Sequence, residues 1–141
     1  MVNLPEGFEV LSGLDPAEDH IGPFYFKRED NEMQYAFRAG QQHCNAMGYV
    51  HGGVLMTFAD FALCMEATGG YQEESCVTVS FNSEFVSAGL IDNIHTCEVE
   101  VVKKTGSLVF LRGVVRTEGD VVMSFSSVVK RMRKEALTKT R

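Results

Sequence analysis

The 141-residue chain has no Cys-x-x-Cys pair, no His-Glu-x-x-His and no Cys/His cluster at metal-ligand spacing. These absences argue against a zinc site, and they leave Cys44, Cys64, Cys76 and Cys97 without the spacing of a disulfide framework. Basic charge is scarce too. The 13 Lys and Arg stand against 19 Asp and Glu, for a net charge of −6, which disfavours a general nucleic-acid binder. The N-terminus lacks a basic-then-apolar signal region. The longest apolar run, broken by Thr57, Asp60 and Glu66, is too short and too polar to span a bilayer. The expectation is a reduced, cytoplasmic protein that binds neither nucleic acid nor membrane. No linker, repeat or low-complexity tract divides it. Its length suits one domain over 1–141, large enough for a core yet near the size where oligomerisation commonly adds stability.

What is present is a clear order of periodic segments. Met33, Tyr35, Phe37 and Ala39 alternate with Gln34, Ala36 and Arg38, the period of a half-buried strand, with Phe24 to Lys27 as its expected hairpin partner. From Val54 to Ala67 almost no polar face remains before Gly69-Gly70, so this stretch predicts a long buried helix. Val77, Val79, Phe81 and Phe85 then alternate with Thr78, Ser80, Asn82 and Glu84. Segments 94–104, 107–117 and 121–131 follow, rich in strand formers and separated by Lys104-Thr105-Gly106-Ser107 and Glu118-Gly119-Asp120. The pattern predicts an α+β domain in which five or six antiparallel strands wrap one long helix. Residues 1–20 read as an irregular or partly helical lead-in and 132–141 as a basic, solvated tail.

Chemistry concentrates at the start of the predicted helix. Gly52 and Gly53 remove side-chain bulk where unpaired backbone N–H groups and the positive end of the helix dipole would meet a developing oxyanion. Asp60 lies in the middle of the apolar helix, where an ionised carboxylate is costly unless it is hydrogen-bonded or does chemistry. Thr57, Asp60 and Cys64 fall at i, i+3 and i+7 and so share one narrow stripe. Gly52 and Asp60, eight residues apart, are separated by roughly 12 Å along the axis. One chain does not easily bring both to a single carbonyl, whereas two helices packed antiparallel about a twofold axis would form two composite sites. The competing readings are structural: a tight turn for the glycines, a buried acceptor for Asp60 and an ordinary strand residue for Thr78; metal ligation by His43 and His51 is disfavoured, and His51 is read as orienting the loop through a ring hydrogen bond.

The pattern Asn45, Gly48, Val50-His51-Gly52-Gly53-Val54-Leu55 and then Asp60 resembles the hotdog-fold acyl-CoA thioesterases of the phenylacetate-degradation type. More distantly it is similar to the 4-hydroxybenzoyl-CoA thioesterases. The likeness runs from about Gly22 to about Lys130. It implies that the Gly52 N–H, assisted by Asn45, polarises the thioester carbonyl, and that Asp60 of a neighbouring subunit acts as nucleophile or general base. It also implies that Thr78 helps hold the water and that His51 orients the loop. Some relatives carry Ser or Thr where this chain has Cys64, which leaves Thr78 as the candidate for holding the water. Gly53, Val79 and Lys104 are the further candidates for binding substrate, Lys104 toward the phosphates of coenzyme A. The implied reaction needs no cofactor and no metal, because water is the second substrate. The implied assembly is a homodimer, pairing into a dimer of dimers. The first 32 residues hold eight acids and two bases, while 130–141 carry Lys130, Arg131, Arg133, Lys134, Lys139 and Arg141 against Glu135. That basic end is either a coenzyme A contact or a solvated terminus. Two alternatives are a non-catalytic acyl-CoA binding protein and a hotdog-fold hydratase or dehydratase. The second is disfavoured by the lack of a proline near His51.

Overall fold

The computed structural model describes residues 4–134. A short helix, α1 (Pro16–Ile21), precedes a hairpin of β1 (Tyr25–Glu29) and β2 (Glu32–Arg38). Asp30 and Asn31 at its tip both have positive φ, 52° and 64°, the geometry of a tight turn matched to strand twist. A 3₁₀ turn at Gln41–His43 and a loop lead into α2 (Gly52–Thr68). Four long strands follow: β3 (Glu74–Phe85), β4 (Ile94–Lys104), β5 (Leu108–Thr117) and β6 (Asp120–Arg133).

All six strands form one antiparallel sheet in the order β1-β2-β4-β5-β6-β3. The sheet curls around α2, which buries Leu55, Phe58, Phe61, Leu63 and Met65 against Phe24, Tyr35, Phe37, Leu111, Val115 and Met123. Rings of Phe24, Phe37, Phe58 and Phe61 meet at centroid distances between 4.7 and 5.7 Å, so a tight aromatic cluster fixes the helix on the sheet. At its end Gly69 turns left-handed (φ 63°) and the Gly70 N–H reaches the Met65 carbonyl at 2.9 Å, which stops the helix where the paired glycines predicted. The result is a hotdog fold.

One boundary moves. Strand β6 continues past 131, because Met132 and Arg133 pair with Ser75 and Glu74 of β3, so the expected tail begins later; its residues 135–141 lie outside those described. The lead-in contains a capped helix, with Asp15 accepting from the Glu18 N–H at 3.1 Å and Pro16 in the first turn. All four cysteines are free thiols. Among the described residues no helix is long and apolar enough to cross a membrane.

Candidate active site

The first turn of α2 leaves one amide without an acceptor. His51 is the N-cap: its Nδ1 accepts from the Gly53 N–H at 2.9 Å, and its carbonyl accepts from Val54 and Leu55 at 2.9 and 3.1 Å. The Gly52 N–H has no partner among the described residues. A helix start has several orphan donors; here all but the one at Gly52 are satisfied within the chain. A Cβ added to Gly52 would stand 3.0 Å from the ring of Phe85, a side chain left 54% exposed at the end of β3. The amide is therefore flanked by an aromatic edge.

The loop before it is held by its own polar groups. Asn45 Oδ1 accepts from the N–H groups of Met47 (3.0 Å) and Tyr49 (3.2 Å), and the Asn45 N–H donates to the Tyr49 carbonyl (2.7 Å). The carboxamide oxygen is thus committed to the turn, and Nδ2 is the end left to meet a substrate. Buried His43 braces this loop from behind. Its Nδ1 accepts from the Gly40 N–H at 2.9 Å, its Nε2 donates to the carbonyls of Ile21 (2.6 Å) and Gly22 (3.2 Å), and its own carbonyl accepts from His51 N–H at 2.8 Å. Both rings, His43 and His51, are engaged in hydrogen bonds that shape the loop. Among the described residues no group of three or more His, Cys, Asp or Glu could hold a metal ion.

Two turns along α2, half-buried Asp60 accepts a 2.5 Å hydrogen bond from Thr78 Oγ1. Cys64 Sγ lies 3.9 Å from the same carboxylate oxygen and 3.7 Å from Thr78 Oγ1. Burial pushes the Asp60 carboxyl up from its ordinary range, the Thr78 bond pulls it back, and Asp15 raises it again. Contact with Cys76 and burial push the Cys64 thiol up, which disfavours its thiolate. Thr78 gives its proton to the carboxylate and keeps oxygen lone pairs that can accept from water. Thr57, on the same stripe, returns its hydroxyl to the Gly53 carbonyl at 2.8 Å.

Within one chain the predicted residues form two groups. Asn45, His51, Gly52 and Gly53 make the first, with the Gly53 N–H taken up by His51. Asp60 and Thr78 make the second. Val79 sits at a bulge in β3, 62% exposed. Lys104 shares a row with Thr78 through Val129 and Val109; three strand spacings place it roughly 14 Å away. Sequence reasoning missed Phe85 and Glu18. Glu18 rides on α1, which packs against α2, and burial followed by the charges of Asp15, Asp60 and Asp19 pushes its carboxyl from 4.5 up to about 8. Asp15-Pro16-Ala17-Glu18 carries a helix-start signature that marks the helix, but nothing local says what that helix lies against.

Comparison with known proteins places the chain in a family. The sequence profile of the thioesterase superfamily matches residues 47–124. A Pseudomonas aeruginosa protein whose name proposes esterase activity is 33% identical over 101 residues, which span 68% of this chain and 75% of that one. The E. coli PaaI protein from the phenylacetic acid degradation operon superposes with a TM-score of 0.74 at 16% identity, covering 84% of this chain and 86% of its own. A Streptococcus pneumoniae hypothetical thioesterase, solved with coenzyme A, superposes with a TM-score of 0.70 at 17% identity, covering 89% and 96%. At these identities the two structures speak for a shared fold.

Proposed function

Since the chain belongs to the thioesterase superfamily, we propose that it hydrolyses an acyl-CoA thioester to a free acid and coenzyme A, at a site assembled from two copies of the chain. The observation that carries this reading is the Gly52 N–H, the one amide of the α2 start that the protein leaves unanswered. It stands at a helix N-terminus, where an oxyanion is favoured by both the donor and the dipole. Asn45 Nδ2, its oxygen partner committed to the turn, is the second donor in this reading.

Asp60 supplies the base or the nucleophile. Its partial burial strengthens its basicity, while the Thr78 hydroxyl keeps the ionised form populated. The leaving thiolate is stable enough that no general acid is required. Water completes the hydrolysis, so neither a metal nor a cofactor enters. A second copy is needed because Gly52 and Asp60 stand roughly 12 Å apart on one helix. The free edge of β3, with exposed Val77 and Val79, offers a surface on which that copy could pair. Coenzyme A in the structure of the S. pneumoniae protein supports coenzyme A as the leaving group here.

Thiol release across a panel of acyl-CoA thioesters tests the proposal. Hydrolysis should occur, and Asp60→Asn should lower kcat at least about a hundredfold with KM little changed, general-base help commonly being worth 10² to 10⁴. Binding of every thioester without thiol release, or near wild-type turnover by folded Asp60→Asn protein, would overturn it.

A further inference from the structure

One aromatic ring stands at the open amide. A Cβ added to Gly52 would lie 3.0 Å from both Cε1 and Cζ of Phe85 and 3.6 Å from Cδ1, so the rim of the ring rests against the Gly52 backbone. More than half of that side chain is open to solvent. Its backbone is fixed all the same: Phe85 pairs with Met123 of β6, the Val86 N–H donates to the Val122 carbonyl at 2.9 Å, and the Val50 N–H donates to the Gly89 carbonyl at 2.9 Å. Strand β3 thus carries the ring to the donor on a rigid element.

The surface around the ring is apolar. Met47, Tyr49, Val86 and Leu90 are exposed on the two segments that the Val50–Gly89 bond and the Tyr49–Leu90 bridge bring together, and Met56 is exposed one turn after Gly52 on the same face of α2. Apolar side chains gathered in this way mark a place where something binds. The chemistry restricts what that is. Residues 47–56 and 85–91 include no Lys, Arg, Asp or Glu, and their one histidine, His51, has its Nδ1 committed to the Gly53 N–H. These segments offer no cation to an ionised group. The occupant must also answer the Gly52 N–H, which has no partner among the described residues, so it joins a hydrogen-bond acceptor directly to a hydrocarbon body. A thioester carbonyl bearing a hydrocarbon acyl group has that form. Coenzyme A, with amides along its arm and phosphates at its end, does not.

We propose that Phe85 is the specificity-determining residue for the acyl group: its ring is the wall against which an uncharged, hydrocarbon-rich acyl chain lies while the thioester carbonyl accepts from the Gly52 N–H. This rests on the reading of that N–H as the oxyanion donor of thioester hydrolysis, and it adds the class of acid released. A carbonyl oxygen about 2.9 Å from the amide nitrogen leaves the first few acyl carbons within reach of the ring. An acetyl group ends before it can cover that surface. A dicarboxylic acyl group would press its second carboxylate onto apolar side chains with no partner, which is costly.

Two measurements test this. In thiol release the wild type should favour hexanoyl-CoA over both acetyl-CoA and succinyl-CoA in kcat/KM, and Phe85→Ala should shrink the hexanoyl-to-acetyl preference about tenfold, the worth of roughly two methylenes returned to water. Phe85→Leu, still an apolar wall, should keep most of the preference. A preference unchanged in folded Phe85→Ala protein, or a wild type that favours succinyl-CoA, overturns the proposal. So does a Phe85→Ala protein that sediments as a smaller assembly, since the ring would then belong to an interface between copies. Independently of turnover, calorimetry on Asp60→Asn protein should find hexanoyl-CoA bound more tightly than succinyl-CoA, and adding Phe85→Ala should remove most of that difference. If the difference appears while the wild type releases no thiol, the acyl wall stands and the hydrolase reading falls. If thiol is released with a preference indifferent to Phe85, the hydrolase reading stands and the acyl wall falls.

Discussion

Thr78 gives its hydroxyl proton to Asp60 across 2.5 Å, and that bond opposes the burial that would keep the acid protonated. The sign of its removal follows. Thr78→Val, a substitution suited to a strand, leaves Asp60 with a higher proton affinity, and a carboxylate that must be ionised to act then works only at higher pH. The acid limb of kcat/KM should move up by about one pH unit, since a hydrogen bond to a buried charged group is worth about 1.5 to 3 kcal/mol and less at a half-exposed one. An unmoved acid limb would show that the bond does not tune Asp60. Resemblance assigned Thr78 to the water, and the structure adds a direct bond to the carboxylate. Asp60 itself was legible because a lone acid interrupts an apolar helix, and Gly52 because paired glycines precede it. The surroundings of Glu18 were not, since they come from α1 lying against α2, a contact that no local pattern encodes.

At the level of elements, the start of β4 stores a pH dependence of its own. His95 is 0% exposed and stacks on Phe37; its Nδ1 donates to the Asn93 carbonyl at 3.2 Å, and its buried Nε2 has no partner among the described residues. A Cβ on Gly89 would stand 2.6 Å from that nitrogen, so the segment before β4 closes directly over it. Burial above all lowers the His95 imidazole from 6.5 to about 4, against a smaller opposing effect from Asn93, with His43 adding to the lowering. The folded chain therefore refuses a proton that the unfolded chain accepts. Stability is complete above pH 6.5 and declines as pH falls toward 4. Between pH 7 and 5 the wild type should lose about 2 kcal/mol more stability than His95→Gln, the two pKa values being some 2.5 units apart. Denaturant unfolding at both pH values measures this, and an equal loss in both proteins would refute it. The elements themselves were largely readable. Alternation marked β2 and β3, and Thr105-Gly106 and Glu118-Gly119 marked the hairpins that join β4, β5 and β6. The pairing of β3 with β6 rather than with β4 was not, because strand order depends on which edges meet after collapse and not on the residues between neighbours.

For the whole molecule the question is how Gly52 and Asp60 reach one thioester. Mixing inactive Asp60→Asn protein with inactive Asn45→Ala, Gly52→Val protein and allowing chains to exchange should restore activity. In a mixed pair one site receives an intact Asp60 from one chain and intact Asn45 and Gly52 from the other, while its twin is doubly damaged. That species should work at roughly half the wild-type rate. Mass measurement confirms exchange, and silence after confirmed exchange would place both groups within one chain. The unpaired outer edge of β3 gives this arrangement a further meaning. Helix α2 is already wrapped by the sheet within one chain, and on the proposed two-copy site a lone chain holds only half of each site. On that proposal association acts as a switch by mass action: the population of complete sites grows with the square of the chain concentration when the protein is dilute, and scarcity alone lowers the activity.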